Sequence, residues 1–212
     1  MQRTLQVICG CWVMALALIW LNGCTRSARM EHFYTLSPMS DGSSLSQDAI
    51  PGSAAQGTIG IGPVRLPEAI DRPQMVIRIS PNRLDVSEHH RWAGALDREI
   101  ARVVAENLAF LLGTVPVVVF PWAAADTPSL RVALDIQRFD GKPGMEARLS
   151  VTWTISQAGA ALHRQQSRLR QPVLQECHEA LVAAQSRLLE DLSRQIAAVI
   201  SGLGPSPATR RP

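Results

Sequence analysis

Leu130-Arg131-Val132-Ala133-Leu134-Asp135-Ile136-Gln137 and, a turn later, Ala147-Arg148-Leu149-Ser150-Val151-Thr152-Trp153-Thr154-Ile155 alternate apolar and polar side chains without a break. Successive side chains of a strand point to opposite faces, so both segments read as strands with one face buried. Asp140-Gly141-Lys142-Pro143-Gly144 has the composition of a hairpin turn between them. Ala158-Gly159 turns the chain again, into the more polar stretch Leu162–Leu169, which suits a sheet edge. This three-strand meander fixes the class, because an antiparallel sheet with one apolar face must be covered by something.

Working outward, two helical patterns supply the cover. Leu96, Ile100, Val103, Asn107 and Leu111 recur on one face of a helix over Ala95–Leu112, and Gly113 suits its C-terminal end. Leu181, Ala184, Leu188, Leu192, Ile196 and Val199 form the stripe of a second helix over Glu176–Ile200. Further strands are predicted at His32–Leu36, Thr58–Val64, Gln74–Ser80, Leu84–Val86 and Val115–Trp122. The predicted architecture is α+β: a mainly antiparallel sheet with two long helices packed on one face, in a single domain.

The chain of 212 residues is 46% hydrophobic and 18% charged, enough for a packed core. Lys142 is the single lysine, so 20 of the 21 basic side chains are arginine, against 18 acidic ones. A formal charge of +3 is too nearly balanced for a nucleic-acid binder. Residues 1–23 read as a secretory signal, with Arg3 ahead of a 15-residue apolar run, Val7–Leu21. That run is short of the roughly 20 residues a spanning helix needs. It ends in Leu21-Asn22-Gly23-Cys24, which resembles a bacterial lipobox and makes Cys24 the lipidated first residue of the mature chain. Residues 24–31 are then a lipidated tether, 32–203 the α+β domain, and 204–212 a disordered tail. The Ser-, Ala- and Gly-rich stretch 39–57 reads as a flexible loop.

Cysteine arithmetic leaves little chemistry. Cys9 and Cys11 depart with the signal, and lipidation of Cys24 leaves Cys177 without a disulfide partner. A lone thiol on the apolar face of a helix reads as a small hydrophobe. Glu88-His89-His90-Arg91-Trp92, with Glu99 or Glu106 nearby, is the one stretch that could furnish part of a metal or acid–base site. Side chains at 89 and 90 diverge in either regular structure, so it reads rather as a polar strand-to-helix junction anchored by Trp92. Gly60-Ile61-Gly62 lacks the third glycine and the helix of a phosphate fingerprint. Arg164, Arg168 and Arg170 mark either a surface for anionic headgroups or, as preferred here, a solvated edge that discourages strand pairing. Phe120-Pro121-Trp122 is either an exposed recognition tip or an aromatic cap on the core.

Several short motifs then fall in a specific order: the lipobox, Tyr34-Thr35-Leu36, Gly62-Pro63-Val64-Arg65-Leu66-Pro67, Asp71-Arg72-Pro73-Gln74, Asn82-Arg83-Leu84, Arg91-Trp92, Glu106-Asn107-Leu108 and Pro121-Trp122. Together they resemble the PqiC-type lipoproteins, also called ABC-type transport auxiliary lipoproteins. The stretch 39–57 departs from the pattern, where a shorter loop is expected. The resemblance implies an outer-membrane lipoprotein on the periplasmic face, with no enzymatic activity and no cofactor or metal. It implies homo-oligomers that work with an MCE-domain protein anchored in the inner membrane, moving phospholipid or other hydrophobic molecules and maintaining envelope integrity. Arg91, Trp92, Pro121 and Trp122 are the expected partner-interface residues. The alternative is a periplasmic, lipid-anchored enzyme or metal-binding protein using Glu88, His89 and His90; a third reading is a free-standing lipoprotein that stabilises an unrelated assembly.

Overall fold

Strands Leu130–Gly141 and Glu146–Gln157 pair antiparallel from Leu130↔Gln157 to Gly141↔Ala147, and their alternation decides which side is core. Leu130, Val132, Leu134, Ile136, Ala147, Leu149, Val151, Trp153 and Ile155 are all buried, while their sequence neighbours face the other side. A computed structural model describes residues 30–39, 57–113, 115–123 and 127–203, in which the chain from Glu31 forms one compact unit. Cys24, most of the 39–57 loop and the tail 204–212 lie outside the described residues.

In chain order the elements are β1 His32–Tyr34, β2 Ile59–Arg65, β3 Gln74–Ser80, β4 Arg83–Trp92, α1 Leu96–Leu112, β5 Val117–Val119, β6 Leu130–Gly141, β7 Glu146–Gln157, β8 Ala160–Pro172 and α2 His178–Gly202. They make two sheets rather than one. A five-stranded sheet has the order β5-β2-β6-β7-β8, and a three-stranded sheet the order β1-β4-β3. β1 with β4, β2 with β5 and β2 with β6 are parallel pairs, so both sheets are mixed, and the mainly antiparallel description holds only from β6 to β8 and for β3 with β4. The reason is topological. β2 and β5 become neighbours only after β3, β4 and α1 intervene, and β1 and β4 only after β2 and β3. Such long crossovers let strands run the same way, whereas the tight turns from β6 to β7 and from β7 to β8 reverse the chain.

Both helices pack side by side on one face of the five-stranded sheet, α1 over β2 and β5, α2 over β6, β7 and β8. Each fully buried Leu, Ile or Val there contributes about 1.5–3 kcal/mol. α1 has no side-chain cap, and Asp97 and Glu99 in its first turn complement the helix dipole instead. Between β7 and β8, Ala158 and Gly159 both adopt positive φ, 49° and 86°, in a two-residue loop. Positive φ at both positions matches the right-handed twist of the flanking strands.

Several predicted boundaries move, those of β4 and β5 among them. β4 continues through Glu88-His89-His90 to Trp92, so that stretch is a strand and not a junction. The predicted strand Val115–Trp122 shrinks to Val117–Val119, with Pro116 and Pro121 on either side unable to donate to a ladder.

Candidate functional site: the N-terminal strap and its histidine stack

After β1, residues 35–39 run as a strap along the two helices. Leu36 is 1% exposed and Met39 8%, so two apolar side chains fasten it. Polar contacts fix its path. The Thr35 hydroxyl donates to Glu99 Oε2 at 2.6 Å, and Arg102 Nη2 donates to the Leu36 carbonyl at 2.7 Å. The Ser37 amide donates to Ser186 Oγ at 3.1 Å, and the Met39 amide to Asn107 Oδ1 at 2.7 Å. Burial alone would raise the Glu99 carboxyl, but hydrogen bonds from Arg102 and Thr35 outweigh it and hold it below the ordinary value. Asn107 is fully buried and also donates through Nδ2 to Ser193 Oγ on α2, at 3.4 Å. This polar residue within an apolar stripe therefore ties strap, α1 and α2 together. The stripe itself carried the signal, since a buried amide demands partners.

Beside the strap opens a cleft of about 900 Å³ against α2, walled by Glu31, Phe33 and Tyr34 on one side and Val182, Ser186 and Glu190 on the other. Phe33 is 62% exposed, and burial raises the Glu190 carboxyl. His32, which lines this cleft, also belongs to a stack of three imidazoles. His90 lies 5.1 Å from His32 and 3.5 Å from His178, centroid to centroid, the latter pair 5° from parallel. The Tyr34 hydroxyl lies 2.8 Å from His90 Nδ1. Burial lowers His90, with His32 and His89 adding to the effect; burial also lowers His178, with His90 and His32 adding. Burial raises the Tyr34 phenol, reinforced by Glu179. The rings present faces to one another, an arrangement of packed imidazoles.

The structure separates the other predicted residues. Adjacent on strand β4, His89 and His90 point to opposite sides, as expected. His90 is committed to the stack, and no group of three or more His, Cys, Asp or Glu able to hold a metal exists among the described residues. Trp92 is 6% exposed and belongs to the core. Arg91 is half-buried and faces Glu31 at 3.5 Å. Cys177 sits at the N-terminal cap of α2 rather than on its apolar face, its Sγ 3.8 Å from Gln175 Oε1.

Pro121 and Trp122 belong to a different place, the corner after β5 at the margin of the five-stranded sheet. Phe120, 48% exposed, meets Trp122 edge-on at 5.1 Å, and the Arg131 guanidinium lies 5.7 Å from the Trp122 ring. The glycines of β2 make room for this corner. A Cβ on Gly60 would run into the Pro128 ring first and come within 2.9 Å of Trp122, and one on Gly62, whose φ is 121°, within 2.6 Å of Phe120. The glycine pair thus serves aromatic packing, not phosphate binding.

The comparisons agree with the order of motifs. Residues 34–197 match the family described as the ABC-type transport auxiliary lipoprotein component. The chain is 24% identical over 156 residues to "Intermembrane transport lipoprotein PqiC" of Escherichia coli K12, covering 72% of this chain and 78% of that protein, and equally to its Shigella flexneri counterpart. Among solved structures, protein XCC0632 of Xanthomonas campestris superposes with a TM-score of 0.64 at 14% identity, over 81% of this chain and 96% of that one. An uncharacterised protein superposes with a TM-score of 0.66 at 16% identity, over 81% of this chain and 99% of that one. These two likenesses show a shared fold. The family description is of a transport component, not of an enzyme. With 34–197 covered by a single family, this chain belongs to the ABC-type transport auxiliary lipoproteins.

Proposed function

We propose that this chain is a lipid-anchored adaptor on the periplasmic face of the outer membrane. As a homo-oligomer it docks onto an MCE-domain protein that is anchored in the inner membrane and crosses the periplasm. The assembly moves phospholipid or another hydrophobic molecule and maintains the envelope. The carrying observation is that the family match begins at Tyr34, ten residues after the lipobox Cys24. Intermembrane transport, printed in the name of the PqiC relatives, supports the direction of the reading.

The physics of the tether fits the role. Lipid on a bacterial lipobox cysteine comprises three acyl chains, and two or more give stable attachment at about 0.8 kcal/mol per buried methylene. Six residues lie between Cys24 and Glu31, seven steps along the chain. At ~3.6 Å per extended residue that path reaches about 25 Å, which keeps the strap and its cleft close to the bilayer. The Phe120–Trp122 corner, built of an exposed aromatic and a guanidinium over a ring, has the composition of a protein-binding patch. Capture of the tagged chain from detergent-solubilised envelope tests the proposal. An MCE-domain protein is expected to co-purify; its consistent absence, with some other envelope assembly in its place, overturns it.

A further inference from the structure

On the side of the five-stranded sheet away from the helices, where β3 meets the end of β6, lies a cavity of about 260 Å³. Its lining contains Arg78, Arg138, Lys142 and Arg148, with Glu146 as the one carboxylate. Behind it Asp140, 3% exposed in its side chain, takes Arg78 Nε on one oxygen and Arg138 Nε on the other, each at 2.7 Å. Arg148 pairs with Glu146. Four cations thus surround the space against two carboxylates. Partial desolvation, then the guanidinium groups of Arg138 and Arg170, hold Arg148 below its ordinary value. Three of the four cations are paired with these carboxylates, and four cations against two carboxylates leave a net charge of +2 that a further anion would offset.

Geometry specifies the anion. Asp140 engages both guanidinium groups through Nε and so orients them, and Arg78 Nη1 donates to the Pro81 carbonyl at 3.0 Å. Planar guanidinium forks and a mobile ammonium are the donors that suit phosphate oxygens. The rim is apolar: Met145 is 59% exposed and Ile79 38%. The volume falls just under the roughly 300–1,000 Å³ of pockets that enclose a whole small molecule.

We propose that Arg78, Arg138, Lys142 and Arg148 form a binding site for the phosphate group of an anionic ligand, with Ile79 and Met145 favouring a phospholipid headgroup over free phosphate. The site is remote from the strap and does not depend on the adaptor reading. Calorimetric titration of the lipidated chain in uncharged detergent tests it, using dihexanoyl phosphatidylglycerol and inorganic phosphate as probes. Saturable binding is expected for the phosphatidylglycerol, with phosphate competing more weakly. Each of Lys142→Gln and Arg148→Gln should weaken it about tenfold, the loss of one charge-assisted hydrogen bond. Lys142 is exposed, so its replacement leaves the fold intact, which circular dichroism checks. Equal affinity for the two probes supports the phosphate site and identifies free phosphate as its source. No binding of either probe, or binding indifferent to both substitutions, overturns the site. Neither result bears on capture of an MCE-domain protein.

Discussion

His90 and His178, 88 residues apart in sequence, stack with centroids 3.5 Å apart and planes 5° from parallel. A proton on one ring repels a proton on the other, and both imidazoles are held below the ordinary value of about 6.5. A base with a lowered folded value binds fewer protons folded than unfolded in the window beneath 6.5. Stability is therefore full above that value and declines as pH falls through it. Denaturation midpoints measured from pH 7.5 to 5 should drop on the acid side. His178→Phe, which keeps the ring and removes the charge, should flatten that drop; an unchanged profile in the variant contradicts the assignment.

Asn107 gives a second expectation. Its Oδ1 satisfies the Met39 amide and its Nδ2 reaches Ser193, all within the core. Asn107→Ala leaves those groups unpaired at a cost of about 1–3 kcal/mol. Urea denaturation should show the loss, and limited proteolysis should show earlier cleavage within residues 35–39.

Trp153, wholly buried, donates through Nε1 to Ser167 Oγ at 2.9 Å, and Ser167 donates to Gln195 Oε1 at 2.6 Å. Ser167→Ala strands a donor and an acceptor together, so a destabilisation of about 2 kcal/mol is expected. Ser167→Thr keeps the hydroxyl and should retain most of the stability in thermal melts.

Ala158 runs the other way. Its φ of 49° places a residue with a Cβ in a region costing roughly 1–2 kcal/mol for ordinary side chains. Ala158→Asn or Ala158→Gly should raise the denaturation midpoint, by up to about 1 kcal/mol. A fall in the midpoint would show that the turn is not of this type.

Local pattern carried the meander and the helices. Strands β6 and β7 alternate residue by residue, and both helix stripes keep their period, so burial follows sequence directly. β4 did not announce itself: Glu88-His89-His90-Arg91 has no apolar face, because the strand sits between β1 and β3 in a small sheet with much of it exposed. Pairing of β1 with β4, His32↔His90 to Tyr34↔Trp92, joins segments 58 residues apart, a distance that periodicity does not span. That non-local pairing splits the sheet in two and assembles the histidine stack. The cationic cavity is equally non-local, since Arg78 belongs to β3 while Asp140, its partner, ends β6.

Membrane tethering depends most directly on the state of Cys24 in native envelopes. Mass spectrometry of the tryptic peptide Cys24-Thr25-Arg26 from isolated outer membranes should find it at the N-terminus, carrying a diacylglyceryl thioether and an amide-linked acyl chain. An unmodified Cys24, or a chain still bearing residues 1–23 in the cytosol, would contradict the proposal of a membrane-tethered adaptor.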